Sequence, residues 1–495
     1  MNAMRSNSRR GLQPNVLGRF DTVVMAVAGS APAYSIAATT AVLVATVGLA
    51  SPAALLYCAI PMLGIVLAYG RLGRLDPNAG AAYSWVARTL HPFLGFISGW
   101  ALVISTTIFM VAGSLPAGAM TLAIFDPALA THTSLAALVG AGWLALMVLI
   151  VLGGARLTVR AQLLLSGVEV TLLVVFLLAA LLHDGTAHAF DWSWLGFSHF
   201  DGPSGFASGA LIAAFYYWGW DVTSNLSEET RNSRRNSGFA ALVGVGIVFL
   251  LFEAFTIATN IILTERQISA GSANVLGVLG DVIWPGVGGK FLIVAVLLST
   301  VATLETTLIQ VTRSLFAMGR DRTLPASLGK VHRTWNTPWV AITVVGCAGI
   351  GMLAAATVLG SVTEIISDAV TAISLQVSVY YGLAGLAVVV AYRKLLLRSF
   401  RTFFLAGLWP LVGAVFMFWI FFESLGELTT TAICIGIGGL AAGLVPMFWY
   451  WRKGSSYYRP ATLDATRSAE DDGAYADTGL TAGAGRPEEA MATDF

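Results

Sequence analysis

The sequence predicts an all-α polytopic membrane protein with twelve transmembrane helices. Of its 495 residues, 56% are hydrophobic and only 11% are charged, whereas about 25% charged residues is usual for a soluble globular protein. The apolar residues form runs of about 20 or more, which is the length that a helix needs to cross the hydrocarbon core. Arginine and lysine fall almost entirely into alternate connections between these runs.

The predicted spans account for most of the chain, and their even number places both termini on one side. The spans are 20–48, 52–70, 93–122, 134–153, 159–182, 205–226, 238–263, 289–317, 338–358, 363–391, 403–423 and 429–451.

The positive charges indicate that the side with both termini is the cytoplasm. With the N-terminus inside, the outer loops hold only Arg266 and Lys290, and cytoplasmic loops are the ones that carry excess positive charge. A missed helix would invert this pattern downstream, so the pattern also supports the span count. We expect a cytoplasmic N-terminal tail (1–17), a transmembrane domain (18–452) in the cell membrane, and a cytoplasmic C-terminal tail (453–495) whose polar composition predicts disorder.

Two spans are predicted to break in mid-membrane. In "MAVAGSAPAYSIAATTA", Pro32 lacks an N–H and follows the permissive Gly29. In "FYYWGWD", Gly219 lies between two tryptophans and precedes Asp221. The simpler interpretation is a kink and an aromatic packing stripe. However, each break lies in the first helix of a set of five, and the two sets follow each other in the chain. This arrangement favours an inverted repeat with a binding site at the midplane. The free ends of half-helices suit a zwitterion such as an amino acid.

Other functions are disfavoured by what the sequence contains. The net charge of +1 argues against a nucleic-acid partner. The six histidines fall in loops or at span ends without metal-ligand spacing, and no phosphate-binding GxxxxGK[ST] motif occurs. We therefore expect no enzyme activity, no metal and no cofactor, and we disfavour a channel. The three cysteines are interpreted as small buried apolar residues.

Four stretches resemble amino acid permeases of the amino acid–polyamine–organocation (APC) superfamily. They are "LGRFDTVVMAVAGSAPAYS", "DPNAGAAYSWVARTLHPFLGFISGW", "FYYWGWDVTSNLSEETRN" and "TRSLFAMGRDRTLPASLGKVH". The resemblance covers nearly all of residues 17–452. It implies the LeuT-like APC fold, in which ten helices form a five-plus-five inverted repeat and two more are peripheral. It also implies secondary transport by alternating access.

The resemblance also implies a substrate site at the two breaks. The substrate carboxylate would lie on the amides around Gly29, Ser30 and Ala31. The amine would lie on carbonyls of the broken segments, for which Ala28, Trp218 and Gly219 are the candidates. The remaining implied contacts are a covering aromatic ring and two hydroxyls of the third span: Phe215, Ser105 and Thr106.

Acids inside the spans are candidates for ion coupling, because a charge at the bilayer centre costs at least about 2.5–3.5 kcal/mol. Asp221 matches the acid after the family's sixth-span break, and we expect it to exchange a proton; the alternative is a structural tie. Glu169 departs from the family, many of whose members have a lysine there. It would bind a proton, hold a cation with Ser299 and Thr300, or serve only as a structural acid.

The predicted function is the transport of amino acids, coupled to protons, with sodium as the other coupling ion considered. The alternatives are a polyamine or other organic amine importer, an amino acid/amine exchanger, and a sensor with a transporter fold. The expected partners are a small-molecule substrate and the lipid bilayer, and the oligomeric state stays open. Glu253 and Glu305 are expected to be interhelical hydrogen-bonded acids, and Arg313 and Arg320 to be anchors or partners of Glu228 and Glu229.

Overall fold

The chain is mostly helical in the residues that the computed structural model describes, which are 11–271, 274–358 and 360–466. The first helices are α1 (Arg19–Gly29), α2 (Pro32–Val47), α3 (Ser51–Leu75), α4 (Ala82–Thr89), α5 (Pro92–Phe125), α6 (Pro127–Ala130), α7 (Thr133–Leu152), α8 (Ala155–Leu181), α9 (Gly202–Tyr216) and α10 (Val222–Asn225). The later helices are α11 (Ser233–Ile262), α12 (Glu265–Gly271), α13 (Val275–Ile283), α14 (Gly288–Arg320), α15 (Trp339–Ala356), α16 (Val362–Tyr392), α17 (Phe400–Thr402), α18 (Trp409–Ser424), α19 (Thr430–Ala442) and α20 (Leu444–Arg452). The predicted all-α class is confirmed.

Ten helical segments within those ranges are long and apolar enough to cross a bilayer. One of them, Arg19–Leu75, contains two of the predicted spans, and the predicted sixth span is divided between the shorter helices α9 and α10. The segments and the predicted spans differ at these two places. The count of twelve and the inverted repeat stay predictions.

The helices are arranged around α14, which packs against α5, α8 and α13. In the most apolar stretch of α14, 83% of the residues are buried, whereas in that of α8 only 22% are. The exposed side of α8 is lined by leucines, which suits a lipid-facing surface. Cys58 is buried as predicted, but the prediction is wrong for Cys347 and Cys434, which are exposed on the outer sides of α15 and α19.

One end of the bundle, which we call the N-terminal face, is where α1 and α8 begin and α14 ends. There the amides of Val16 and Leu17 donate to the carbonyl of Glu229 at 2.8 and 3.1 Å, and Arg231 N donates to Leu17 O at 2.9 Å. These bonds tie the segment before α1 to the turn after α10. The expectation that this face is cytoplasmic stays a prediction.

The start of the C-terminal tail is docked on the N-terminal face. The ring of Tyr457 stacks on that of Tyr83 at 4.5 Å between centroids. Leu463 is buried, and its amide donates to the carbonyl of Arg88 at 2.9 Å. The prediction of disorder from residue 453 is therefore wrong for 454–466, because buried aromatic and apolar side chains hold this segment. Residues 467–495, and 1–10 of the N-terminal tail, lie outside the described residues.

Candidate functional site

The first break separates α1 from α2 at Ser30 and Ala31. Ala31 is left-handed, with φ of 49° and ψ of 60°, and Pro32 begins α2. A proline fits the first position of a helix because that position has no N–H to satisfy within the helix. The predicted break is confirmed.

The amides that the resemblance assigns to a substrate carboxylate are engaged within the chain. Ser30 N donates to Ala26 O at 3.3 Å and to Val27 O at 3.1 Å, and Ala31 N donates to Ala28 O at 3.2 Å. These bonds lie at the long end of the N–H···O range and close the last turn of α1. A carboxylate at this point would have to replace them.

The N-terminus of α2 is capped by side chains from two distant helices. Ala33 N donates to Glu169 Oε1 of α8 at 2.9 Å, and Tyr34 N donates to Ser299 Oγ of α14 at 3.2 Å. A carboxylate at a helix N-terminus is favoured by the free N–H groups and by the helix dipole. Glu169 is fully buried, and its Oε2 has no hydrogen-bond partner. The structure thus brings Glu169 and Ser299 together at the first break.

The second break separates α9 from α10 around Gly219, whose φ of 99° favours glycine. Gly219 lies directly against the first break. A Cβ added at Gly219 would collide with the carbonyl of Gly29, and one added at Gly29 would collide with the carbonyl of Gly219. The two interrupted helices therefore meet backbone to backbone, and both contacts require glycine.

Asp221, which follows the second break, is surrounded by donors. Its Oδ2 accepts from Gln310 Nε2 at 2.8 Å and from Tyr380 OH at 3.1 Å, and its Oδ1 accepts from Tyr381 OH at 3.0 Å. Trp218 Nε1 donates to Tyr380 OH at 2.6 Å and extends the network to the break. Asp221 thus connects α10 to α14 and α16.

Four aromatic rings pack around the breaks on the side away from the N-terminal face. Tyr34 lies 5.9 Å from Phe109 and 6.5 Å from Phe215, and Trp218 lies 5.6 Å from Phe109 and 6.1 Å from Phe215, between centroids. All four are almost fully buried. Phe215 and Trp218 were candidates from the sequence, whereas Tyr34 and Phe109 were missed. We call these four residues the aromatic cluster.

Three of the predicted hydroxyl groups bond to their own helices. Ser105 and Thr106 Oγ1 each donate to Leu102 O, at 2.9 and 2.6 Å, and Thr300 Oγ1 donates to Val296 O at 2.6 Å. Thr303, which the sequence did not single out, reaches the break instead: its hydroxyl donates to Ala28 O at 2.8 Å. One turn of helix separates Thr300 from Thr303, and sequence alone does not give the rotation of α14.

The N-terminal face is closed below the breaks by two ion pairs. Arg313 binds Glu229 through Nε–Oε2 at 2.9 Å and Nη2–Oε1 at 3.1 Å, with both side chains 1% exposed. Arg320 binds Glu228 at 2.9 Å closer to solvent. Of the two roles expected for Arg313 and Arg320, anchors or partners of these glutamates, the structure shows the second, and Arg313 is buried rather than solvated. In the described part of the chain, no three His, Cys, Asp or Glu side chains are grouped as metal ligands.

Comparison with known proteins agrees with this architecture. Residues 17–445 match the family model described as amino acid permease. The chain is 27% identical to the low-affinity putrescine importer PlaP of Escherichia coli (strain K12) over 315 residues, which are 60% of this chain and 66% of that protein. It thus spans about two thirds of that importer's length.

Two further relatives are matched over more of their length. A methylthioribose transporter of Bacillus subtilis (strain 168) is 26% identical over 82% of this chain and 87% of its own. The branched-chain amino acid permease BcaP of the same organism is 25% identical over 89% and 93%. These relatives are transporters and not enzymes. Since the family model covers nearly the whole chain and its broken helices, this protein belongs to the amino acid permease family.

Proposed function

We propose that the protein is a secondary active transporter that moves amino acids across the cytoplasmic membrane by alternating access. The observation that carries the proposal is the backbone contact between two interrupted helices at Gly29 and Gly219. Interrupted backbone is tolerated at membrane depth only where protein or a water-filled cavity satisfies its polar groups. A contact that only glycine permits, between two such interruptions, is a costly arrangement that a merely structural bundle would not need.

The charges at the breaks suit a zwitterion. The last carbonyls of α1, including that of Ala28, carry partial negative charge and would accept from the substrate ammonium group. The weakly bonded amides of Ser30 and Ala31 would donate to the carboxylate. The aromatic cluster would cover the side chain, with Phe215 and Trp218 contributed by α9 and the turn after it. Ser105 lies one helical turn from Phe109 and would line the same space.

Coupling is assigned to Glu169 in this proposal. Its carboxylate holds the N-terminus of α2 through Ala33 N, and a charged carboxylate binds an N–H more strongly than a neutral carboxyl does. Protonation would therefore loosen α2 from α8 at the break. Asp221 already accepts three hydrogen bonds, which favours a role as a tie between helices over a role as the proton carrier. Sodium remains the competing ion, held by Glu169 and Ser299.

The second candidate function is the import of a polyamine or another organic amine. Two observations favour it: one relative is named a putrescine importer, and Glu169, which has an unpartnered carboxylate oxygen, binds Ala33 N beside Tyr34 of the aromatic cluster. Aromatic faces attract ammonium groups, and a buried carboxylate would pair with a second amine. Exchange of an amino acid for an amine would use the same groups.

Uptake by the purified protein in liposomes tests both candidates. The probes are branched-chain amino acids, serine and putrescine, with the outside acidic and a protonophore as control. We expect an amino acid to accumulate and the protonophore to abolish its accumulation. Accumulation of putrescine alone would replace the first candidate by the second, and a response to none of the probes, in uptake or in thermal shift, would refute both.

Two variants test the assignment of coupling. Glu169→Gln should lose gradient-driven accumulation and keep substrate exchange at equal pH, because exchange requires no proton release. Asp221→Asn should weaken both activities together, because it disturbs the partners of the second break. The reverse result would move the coupling role to Asp221, and a sodium requirement in the wild type would replace the proton.

A further inference from the structure

A polar stripe runs along the buried face of α8 from the N-terminal face to the first break. Its members are Thr158, Gln162, Ser166 and Glu169, spaced four, four and three residues apart, and each is at most 5% exposed. This spacing places them on one face of a helix. Beyond Glu169 the same face continues with Leu173 and Phe176, which are buried and apolar. The stripe therefore reaches Glu169 from one side of the membrane only.

The stripe faces a second buried acid on α14. Gln162 Nε2 donates to Glu305 Oε2 at 2.6 Å and to the carbonyl of Ala302 at 2.8 Å. Thr158 lies one turn before Gln162 on the same face, and its hydroxyl donates to Gly154 O at 3.3 Å. Gln162 lies seven residues before Glu169, about 10 Å along the helix axis. We call Thr158, Gln162, Ser166, Glu169 and Glu305 the α8–α14 seam.

The seam contains polar atoms that no protein group satisfies. They are Gln162 Oε1, Ser166 Oγ, Glu169 Oε2 and Glu305 Oε1, which belong to four of the five side chains of the seam. A buried polar atom without a partner is costly, and such atoms usually bond to ordered water. A purely structural Gln–Glu tie would explain the Gln162–Glu305 bond but not the unsatisfied Ser166 and Glu169 atoms above it.

The charges around the seam do not neutralise its acids. The titratable groups on α8, α14 and the elements packed against them are Arg19, Asp21, Tyr34, Arg156, Arg160, Asp221, Arg234, Arg235, Glu253, Asp281, Lys290, Arg313, Arg320 and Cys347. None of these is an ion-pair partner of Glu169 or Glu305 in the part of the chain that the structure describes. Since neither acid has an ion pair to break, each can gain or lose a proton, as buried acids in membrane proton relays do.

We propose that the α8–α14 seam conducts protons between Glu169 and the N-terminal face, with Glu305 as the intermediate acceptor. The O–H bond of protonated Glu169 breaks, and the proton passes by water and the Ser166 hydroxyl to the Glu305 carboxylate, where an O–H bond forms. Glu305 then releases the proton to water beside Thr158, and Glu169 regains its charged bond to Ala33 N. The proton thus leaves along α8 while the substrate leaves between the broken helices.

This inference rests on the proposed proton coupling at Glu169 and predicts a specific loss in Glu305→Gln. Gradient-driven uptake should fall about 100-fold, the lower end of what loss of a positioned proton-transfer group costs. Exchange at equal pH should be unchanged, because a transporter that stays protonated at Glu169 still exchanges substrate. The matched control is Glu253→Gln on α11, which removes another acid within a span, half-buried and with a buried, unsatisfied Oε1, and should leave both rates unchanged.

A second variant protects the test against misfolding of Glu305→Gln. Ser166→Ala removes a hydroxyl that has no protein partner and should slow gradient-driven uptake without slowing exchange. Its control is Ser98→Ala, which removes an equally unsatisfied buried hydroxyl on α5. Wild-type gradient-driven uptake in Glu305→Gln and Ser166→Ala, or equal losses of uptake and exchange in both, would overturn the proposal. A wild type that ignores the pH gradient would instead refute coupling itself, and the seam proposal would fall with it.

Discussion

The adjacent residues Glu228 and Glu229 should differ sharply in their effect on opening of the N-terminal face. Both pair with arginines of α14, but Glu229 and Arg313 are 1% exposed, whereas Glu228 and Arg320 are 24% and 34% exposed. Glu229→Gln removes one charge of a buried pair and leaves the other in place. Glu228→Gln makes the same chemical change one residue earlier, where solvent screens it.

The expected magnitude follows from burial. Removing one partner of a buried ion pair costs about 3–5 kcal/mol because the remaining charge is uncompensated. Glutamine still accepts a hydrogen bond from Arg313, so we take the lower value; about 3 kcal/mol is roughly a 150-fold change in equilibrium. In the open state Arg313 is hydrated, so the penalty falls on the closed state and favours opening. For Glu228→Gln the cost is about 0.2–1 kcal/mol, or less than about fivefold.

Thiol labelling measures this opening. Ser227→Cys places a probe within the closed turn, because Ser227 is 3% exposed and its hydroxyl has no protein partner to lose. The exposed Cys347 and Cys434 are replaced by alanine. The maleimide labelling rate should rise toward 150-fold in Glu229→Gln, about 3 kcal/mol, and change less than about fivefold in Glu228→Gln. Equal effects of the two variants, with both proteins folded by thermal melting, would refute the reasoning.

Three further predictions concern the break, the tail and the N-terminal face. Gly219→Ala should abolish uptake, because a left-handed alanine that also collides with Gly29 destabilises the closed break by at least about 1–3 kcal/mol. The control is Gly246→Ala, where an added Cβ meets nothing within 4 Å, and this variant should transport normally. Tyr457→Ala removes a stacked ring and the hydroxyl bond to Tyr83 O at 3.1 Å, and should lower the free energy of unfolding by about 2 kcal/mol; an unchanged melting temperature would contradict docking of the tail. Burial raises the pKa of Asp321 above its ordinary 3.8, so its contribution to stability is full below that pH and is lost as the pH rises through the folded-state value. Asp321→Asn should therefore melt higher than wild type at neutral pH, with the difference vanishing near pH 4, and a constant difference across pH would exclude this origin.

The helix breaks could be predicted from sequence because their causes are local. Pro32 and Gly219 act on their own backbone, and nothing distant is needed to recognise them. The residues that bind the breaks could not be predicted in this way, because they are distant in the sequence. Ala33 and Glu169 are 136 residues apart, and Tyr34 and Ser299 are 265 residues apart. No periodicity fixes which helix another one faces.

Three further features show what the sequence alone did not reveal. The donors around Asp221 come from α14 and α16, so a single buried acid in the sequence did not reveal that it accepts three bonds. The polar stripe on α8 can be recognised in the sequence, because its residues recur every three or four positions. The sequence does not show that Glu305 of α14 faces this stripe. The docked tail was missed because composition averaged over 453–495 conceals the few apolar residues, Tyr457 and Leu463, that bury themselves.

The bonds at the N-terminal face indicate which parts would move together. The segment before α1 is bonded to the turn after α10 through Leu17 and Glu229, and the other ends of these elements touch at Gly29 and Gly219. α1 and α10 are thus joined at both ends and should swing as one unit.

The other half of the first broken helix is held elsewhere. α2 is bonded at Ala33 to Glu169 of α8 and at Tyr34 to Ser299 of α14, so it should stay with those helices while α1 moves. The expected hinge is then Ala31, the left-handed residue between a half-helix tied to the Arg313–Glu229 ion pair and a half-helix tied to Glu169. In the proposed mechanism, protonation at Glu169 would act on one side of that hinge and substrate on the hinge itself, which is a physical route by which one could alter the affinity of the other.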